Sequence, residues 1–375
     1  MKKNITIVLS NIFRAVTHEW TLEMLDKEKF NISFILMNPI DSAMEDYLKK
    51  NNIKHIRINY RGKKDLLKAI ISIFIFLRKN KTDVIHTHLF DANIAGLTAA
   101  FFALVRKRIY TRHHSIFHHR FFPKAVKYDR LANYLATDII AISENVKDIL
   151  LKMKNVNPSK IHLVHHGFRF ADFDSVTNER IEILKNRYNA KNKYPVVGVI
   201  SRFTWWKGVH HIIPAFKKLL KDYPNALLIL ANAGGDYKKE ITKLLNELPD
   251  ENHIEIEFES DFIALYKQFD VFVHVPVDNQ SEAFGQTYVE ALASGIPSVF
   301  TLSGIGSEFV RHKHNAWVVD YENEEEIYTG IITLLSNRSL AEKITIEGKK
   351  EARGLFAVEK MISSFEKIYL SGQTS

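Results

Sequence analysis

Short apolar, β-branched runs alternate with stretches of helical periodicity along the whole chain, and no other feature restricts the fold as much. In the first half the runs are Ile5–Leu9, Ile32–Met37, His55–Ile58, Val84–His88, Ile109–Thr111, Ile139–Ser143 and Ile161–His165. In the second they are Val196–Ser201, Ala226–Ala231, Ile254–Phe258, Val271–Val275, Ser298–Thr301 and Ala316–Val319. Helical patterns separate most of them, as at Val209, Ile212, Ile213, Phe216, Leu219 and Leu220. Repeated strand–helix units give parallel sheets with helices on both faces. Two sets predict an α/β protein of two doubly wound, Rossmann-like domains, with ligands at the C-terminal strand ends facing a cleft. A polar stretch, Ala171–Lys193, lies between the sets and ends before Pro195. The connection is placed at its start, near Phe168–Asp174, giving domains of residues 1–168 and 169–357. Residues Val358–Leu370 read as a final helix.

A chain of 375 residues suits two domains. It has no cysteine, which excludes disulfides and thiol chemistry and fits the cytoplasm. The longest apolar stretches, Ala69–Leu77 and Gly96–Val105, are too short to span a bilayer. Lys2 and Lys3 precede only a strand-length apolar run, so no secretory leader is read. The net charge of +9 is unevenly placed: residues 1–165 hold 28 Lys and Arg against 14 Asp and Glu, leaving 24 against 29 in the remainder. A basic half suits an anionic partner, whether nucleic acid, membrane surface or phosphorylated acceptor. Within it, Gly62–Lys79 has basic ends and a very apolar centre. It is expected to be a buried crossover helix, with peripheral docking on anionic lipid as the other reading.

The chemistry concentrates in Ser281-Glu282-Ala283-Phe284-Gly285-Gln286-Thr287-Tyr288-Val289-Glu290, followed by Ala291-Leu292-Ala293-Ser294-Gly295-Ile296-Pro297. Apolar spacing at Tyr288, Val289, Leu292 and Ala293, with a Gly295/Pro297 stop, predicts a helix from about Gly285 to Ser294. Gly285 allows close approach of a ligand, and the free amides of Gly285, Gln286 and Thr287 favour phosphate. Glu282 falls just ahead of the helix. Glu290 falls in its second turn, where a carboxylate accepts hydrogen bonds from a ribose diol. Arg202 and Lys207 flank a loop between a strand and a helix that opens near Val209. A planar fork and a compact charge there suit a diphosphate.

The glutamate segment resembles the E-x7-E signature of retaining glycosyltransferases of family 4, which have the GT-B fold. Four further words resemble landmarks of the same family. They are Val197-Gly198-Val199-Ile200-Ser201-Arg202-Phe203-Thr204-Trp205-Trp206-Lys207-Gly208, Ile140-Ala141-Ile142-Ser143-Glu144 with His165-His166-Gly167-Phe168, Val84-Ile85-His86-Thr87-His88, and Tyr110-Thr111-Arg112-His113-His114-Ser115. Their order is the family's, over about residues 80 to 320.

The resemblance implies retaining, metal-independent transfer of a sugar from a nucleotide-diphosphate donor, UDP-sugar before GDP-sugar, to a hydroxyl of a glycan or lipid-linked acceptor. It implies no cofactor, no metal ligand and no nucleic-acid partner. The implied setting is bacterial surface-polysaccharide assembly, in the cytoplasm at the inner face of the membrane, with contact to anionic lipid. In this resemblance Glu282 meets the donor sugar and the catalytic centre, and Glu290 the ribose. Phe284, Gly285, Gln286 and Thr287 contact phosphates and sugar, and Arg202 and Lys207 hold the diphosphate. A histidine ending a strand of the first domain faces the sugar. His114 is preferred over His113 because Ser115 follows it. Arg112 and both histidines, with His118, His119 and Arg120 nearby, suit an acceptor. The catalytic set is Glu282, His114, Arg202 and Lys207. The final helix is expected to cross back to the first domain.

The chain departs from the family pattern in places. The loop Ser10-Asn11-Ile12-Phe13-Arg14-Ala15-Val16 lacks the usual Gly-Gly pair, so Arg14 is assigned a charge role towards the acceptor. Trp205 and Trp206 replace a polar loop, and Ile305 replaces the second glycine of a Gly-Gly-x-x-Glu turn at Ser303–Glu308. Rival readings are a nucleotide-sugar epimerase on the same frame, a non-catalytic basic binder of nucleic acid or membrane, and a metal hydrolase. The last rests on His86 and His88, which share a strand face, with Asp91. Asp172-Phe173-Asp174 mimics a metal-binding Asp-x-Asp word but follows the His166-Gly167 landmark, and it is set aside.

Overall fold

The computed structural model describes residues 2–153 and 155–372. The chain forms two compact units, Met1–Phe168 with Val358–Ser375, and Arg169–Ala357. All thirteen apolar runs form strands. In the first unit these are β1 (Lys3–Ser10), β2 (Phe30–Met37), β3 (Lys54–Ile58), β4 (Val84–His88), β5 (Lys107–Arg112), β6 (Asp138–Ala141) and β7 (Ile161–Leu163). They make one parallel sheet in the order β3-β2-β1-β4-β5-β6-β7. The second unit holds β8 (Val196–Ile200), β9 (Leu227–Ala231), β10 (His253–Ile256), β11 (Val271–His274), β12 (Ser298–Phe300) and β13 (Trp317–Val318), in the order β10-β9-β8-β11-β12-β13, again parallel.

Side-chain alternation along a strand feeds two helical layers. Ile5, Ile7 and Leu9 of β1 face one layer, which includes Leu22, Leu25 and the C-terminal helix Val358–Leu370. Val8 faces the other, built on Ala69, Ile73, Phe76, Ala92, Ala95 and Ala99. The C-terminal helix is amphipathic at i, i+3, i+4, i+7 spacing through Val358, Met361, Ile362 and Phe365, all buried. It belongs to the first unit, where the Tyr369 hydroxyl lies 2.7 Å from His86 Nδ1. In the second unit Val197 and Val199 of β8 pack with Ile212, Phe216, Ile327 and Ile331 from the helices Val209–Asp222 and Glu324–Ser336.

One expectation is corrected. The stretch 62–79 is a crossover helix, Leu66–Lys79, after a short turn, but it is not buried. Ala69, Ile73, Phe76 and Leu77 cover the sheet, while Leu67, Ile71, Phe74 and Ile75 are exposed. Only one side of a helix can meet a sheet, and among the described residues no further element of the first unit covers the other. Among the described residues no helix is long and apolar enough to cross a membrane.

Candidate active site

The loop after β8 is shaped by Gly208, which starts the helix Val209–Asp222 with φ +70°. A Cβ there would lie 1.9 Å from the Val275 carbonyl oxygen, so only glycine lets the loop lie against the end of β11. The Trp206 carbonyl accepts the Val277 N–H at 3.1 Å and ties the loop to the same strand end. Arg202 is exposed, and its guanidinium has no ion-pair partner among the described residues. Lys207 is half-buried, and its Nζ donates to Glu282 Oε1.

Glu282 is buried in the loop that follows β11. Besides Lys207, His274 Nε2 lies 3.3 Å from its Oε1, and its backbone N–H donates to Ser303 Oγ at 3.0 Å. Burial opposes ionisation, but Lys207 and His274 outweigh it and hold the carboxyl well below the usual carboxylate range. Burial also lowers the His274 imidazole, against the pull of Glu282. The turn at Ser303–Gly306 closes over this loop. Ile305 is fully buried and donates its N–H to the Phe284 carbonyl at 2.8 Å.

The helix Gln286–Ser294 follows, with Gly285 at φ +85° and no side chain capping its first turn. Such a terminus leaves amide donors and a positive dipole end for an anion. Thr287 Oγ1 is buried there without a hydrogen-bond partner. Gln286 is exposed, whereas the Phe284 ring lies in the core against Phe356, 5.8 Å between centroids. Glu290 accepts from the Tyr266 hydroxyl at 2.9 Å. Burial pushes its carboxyl up to about 7, against the lowering effect of that hydrogen bond.

In the first unit β5 ends at Arg112, and His113 and His114 follow it. Arg112 is buried, its Nη1 3.5 Å from Asp129 Oδ2 and its Nη2 donating to the Ser115 carbonyl. His114 Nε2 is 3.5 Å from Asp129 Oδ2, and His118 Nδ1 is 3.0 Å from Asp129 Oδ1. His113 turns elsewhere. Its Nε2 lies 3.1 Å from His88 Nδ1, and its ring stacks on His166 at 5.5 Å. His18 and His86 flank His88 at 4.4 and 4.2 Å. Burial depresses all five imidazoles: His18 to about 4, His113 and His166 to about 3, His86 and His88 well below the usual value. Burial likewise takes His114 down to about 4. Arg14 pairs with Glu19 at 3.0 Å.

Metal-type donors converge in one group among the described residues, His114, His118 and Asp129. The Arg112 guanidinium on the same carboxylate opposes a cation there. His86 and His88 do share a face, but both ring nitrogens of His86 are engaged, with Tyr369 and with Thr111 at 2.8 Å.

The family description "Glycosyl transferases group 1" matches residues 180–351, and "Glycosyltransferase Family 4" matches residues 22–171. The chain belongs to the family 4 glycosyltransferases. Among relatives, the capsular polysaccharide biosynthesis glycosyltransferase CapM of Staphylococcus aureus is 24% identical over 362 residues, 93% of this chain and 92% of the relative. The UDP-Gal:alpha-D-GlcNAc-diphosphoundecaprenol alpha-1,3-galactosyltransferase of Escherichia coli is 22% identical over 351 residues, 89% and 87% of the two chains. Among solved structures, Anabaena HepE in complex with UDP and glucose superposes with a TM-score of 0.83 at 20% identity, covering 99% of this chain and 100% of HepE. The glycosyltransferase therefore has the GT-B α/β fold.

Three residues around the glutamates escape sequence reading. His274 is the one polar side chain in the run Val271–Val275, and its place at the C-terminal end of a strand is the signal that could have marked it. Ser303 opens the turn in which Ile305 replaces a glycine, and nothing in that word marks its hold on the Glu282 backbone. Tyr266, which orients Glu290, has no local signal. In the first unit of the glycosyltransferase His18 is equally silent, while His88 and His166 are legible only as words and not as partners of His113.

Proposed function

We propose that this glycosyltransferase transfers a sugar, with retention of anomeric configuration, from a nucleoside-diphosphate sugar to a hydroxyl of a glycan or lipid-linked acceptor. The observation that carries the reading is the Lys207–Glu282 pair in the loop that leads into an uncapped helix N-terminus, with the exposed Arg202 on the same loop as Lys207. Cations and amides there suit a diphosphate, and a buried, ionised carboxylate beside them suits sugar hydroxyls. Glu290, in the second turn of the same helix, is assigned to the ribose diol. A UDP-sugar is favoured over a GDP-sugar; HepE is seen with UDP and glucose, and the Escherichia coli relative is named for UDP-Gal. The relatives' names point to capsular and diphosphoundecaprenol-linked glycans, so surface polysaccharide assembly is the assigned setting.

In this reading the bond from the anomeric carbon to the diphosphate oxygen breaks as the acceptor oxygen bonds to the same face. The acceptor proton passes to the departing phosphate oxygen. Negative charge grows on the leaving diphosphate, where Arg202, Lys207 and the helix amides stabilise it without a metal ion. Acceptor binding is assigned to the first unit, with His114, His113, Arg112 and Arg14 as its candidates. The Arg112 and Arg14 guanidiniums already hold Asp129 and Glu19, so the histidines are the stronger pair.

A thermal-shift series with UDP, GDP and ADP, followed by NMR of the product linkage, tests the reading. Stabilisation by UDP above the others and a retained anomeric configuration are expected. An inverted product overturns the retaining assignment, and conversion of the donor without an acceptor assigns the chain to epimerisation.

A further inference from the structure

The helix Val126–Leu135 of the first unit carries Arg130, Asn133 and Tyr134 at i, i+3 and i+4, so the three share one face. With Asn155, Asn157 and Lys160 from the segment before β7 they line a cavity of about 230 Å³. Leu135 ends the helix just before β6, and Lys160 immediately precedes β7. The cavity therefore lies at the N-terminal ends of these parallel strands. His113 and His114 follow the opposite, C-terminal end of β5, so the cavity is separate from the residues already described.

One buried group there lacks a partner. Asn133 is 8% exposed, and its Nδ2 makes no hydrogen bond among the described residues. The other end of the carboxamide is fixed, because Oδ1 accepts the Tyr110 hydroxyl. The Arg112 guanidinium, which can only donate, also meets that hydroxyl, so the hydroxyl proton goes to Asn133. A buried N–H2 left unpaired is costly, and it calls for an acceptor from whatever fills the cavity. Two cations stand beside it. Lys160 Nζ donates to the Ala136 carbonyl at 2.9 Å and to the Asn133 carbonyl at 3.4 Å, and an ammonium has a third N–H. Arg130 is exposed and has no ion-pair partner among the described residues. No carboxylate lines the cavity among those residues. The segment before β7 is held in place: Asn157 Oδ1 accepts the Ser159 N–H at 3.0 Å, and the Val156 N–H donates to the Leu150 carbonyl at 3.1 Å.

We propose that this cavity binds a phosphorylated monosaccharide, with its phosphate against Arg130 and Lys160 and Asn133 Nδ2 donating to one of its oxygens. Two cations without an acid select an anion, and a guanidinium fork matches a phosphate. Carboxamides both donate and accept, which suits the hydroxyls of a sugar ring. Tyr134, 75% exposed and one turn from Arg130, presents an apolar ring with a polar tip to the same ligand. The volume is below the roughly 300 Å³ at which pockets for drug-sized molecules begin, so a hexose phosphate is accommodated and a nucleotide sugar is not. A divalent cation is excluded by Arg130 and Lys160. The site does not depend on the assignment of the nucleotide to the second unit.

The full chain is titrated calorimetrically with glucose 1-phosphate, glucose 6-phosphate and galactose 1-phosphate, and with glucose and inorganic phosphate as controls. At least one sugar phosphate should bind roughly tenfold more tightly than either control. Arg130→Glu should weaken that binding by roughly a hundredfold, since a cation becomes an anion beside the phosphate. Tyr134→Ala should weaken it by roughly tenfold. Both variants replace exposed side chains and should keep the wild-type thermal melt by circular dichroism. Arg202→Ala should bind the sugar phosphate as the wild type does. Absence of binding by all three sugar phosphates overturns the proposal, as does equal binding by wild type and folded Arg130→Glu. Loss of binding in Arg202→Ala alone would place the ligand in the diphosphate site and overturn it too. Inorganic phosphate binding as tightly as the best sugar phosphate overturns the sugar assignment, and glucose binding as tightly overturns the phosphate assignment.

Discussion

Lys207 and Glu282, seventy-five positions apart, form an ion pair at the strand ends of the second unit, with His274 against the same carboxylate oxygen. The pair joins the two sequence words that define the candidate site. It also fixes the charge state of Glu282, because burial alone would protonate that carboxyl. Lys207→Ala should therefore have two separable effects. Stability should fall by about 1–3 kcal/mol, since a buried carboxylate loses its cation. Transfer should fall by roughly a hundredfold or more, since charge on the leaving diphosphate loses a partner. Adding Glu282→Gln should recover stability in urea titration but not kcat. Recovery of both would reduce Lys207 to a structural role.

Arg202 makes the complementary case. It is exposed and has no ion pair among the described residues to lose. Arg202→Ala should change the unfolding free energy by less than about 0.5 kcal/mol. The same change should weaken nucleoside-diphosphate binding by roughly tenfold or more, because a charge-assisted contact to phosphate disappears. Calorimetric titration with UDP measures this, and unchanged affinity would remove Arg202 from the diphosphate site.

The fold was legible because the central strands, such as Val196–Ile200 and Leu227–Ala231, are buried on both faces and apolar throughout. Edge strands such as Lys54–Ile58, only partly buried, still showed β-branched residues between helical patterns. The glutamate and Arg-Lys words were legible because each is contiguous and sits on a single strand–loop–helix unit. His274 was not, since a histidine among valines reads equally well as a satisfied core residue. The five-histidine cluster draws on the helix Val16–Met24, β4, the end of β5 and the segment after β7, and no local spacing joins those elements. The helix Leu66–Lys79 was misread for a related reason. Apolar residues all round a helix signal full burial, and periodicity cannot tell which side a neighbour covers.

Those histidines set an acid limit on the first unit. Each is neutral when folded, with a depressed value such as about 4 for His18 and about 3 for His113 and His166. In the unfolded chain they titrate near the ordinary 6.5. Below that pH the unfolded state therefore binds protons that the folded state refuses. Stability is retained above about 6.5 and lost as pH falls, by up to about 1.4 kcal/mol per pH unit for each histidine. Urea midpoints at pH 7.5, 6 and 5 should drop steadily, and His166→Gln should flatten the drop. A midpoint independent of pH over that range would contradict the burial of the cluster.

Glu290 should give nucleotide binding an opposite, sharper signature. Burial holds its carboxyl near 7 with Tyr266 donating to it at 2.9 Å. A ribose diol donates hydrogen bonds, and the ionised carboxylate is the stronger acceptor. Because the value is raised, the ionised form predominates only above about 7. UDP affinity should therefore rise as pH increases through 7, and Glu290→Gln should bind more weakly with that step gone. Tyr266→Phe removes the hydrogen bond that favours ionisation, so the step should move to higher pH without vanishing. Calorimetric titrations of the three proteins between pH 6 and 8.5 separate these outcomes. A wild-type profile without a step would remove Glu290 from the ribose site.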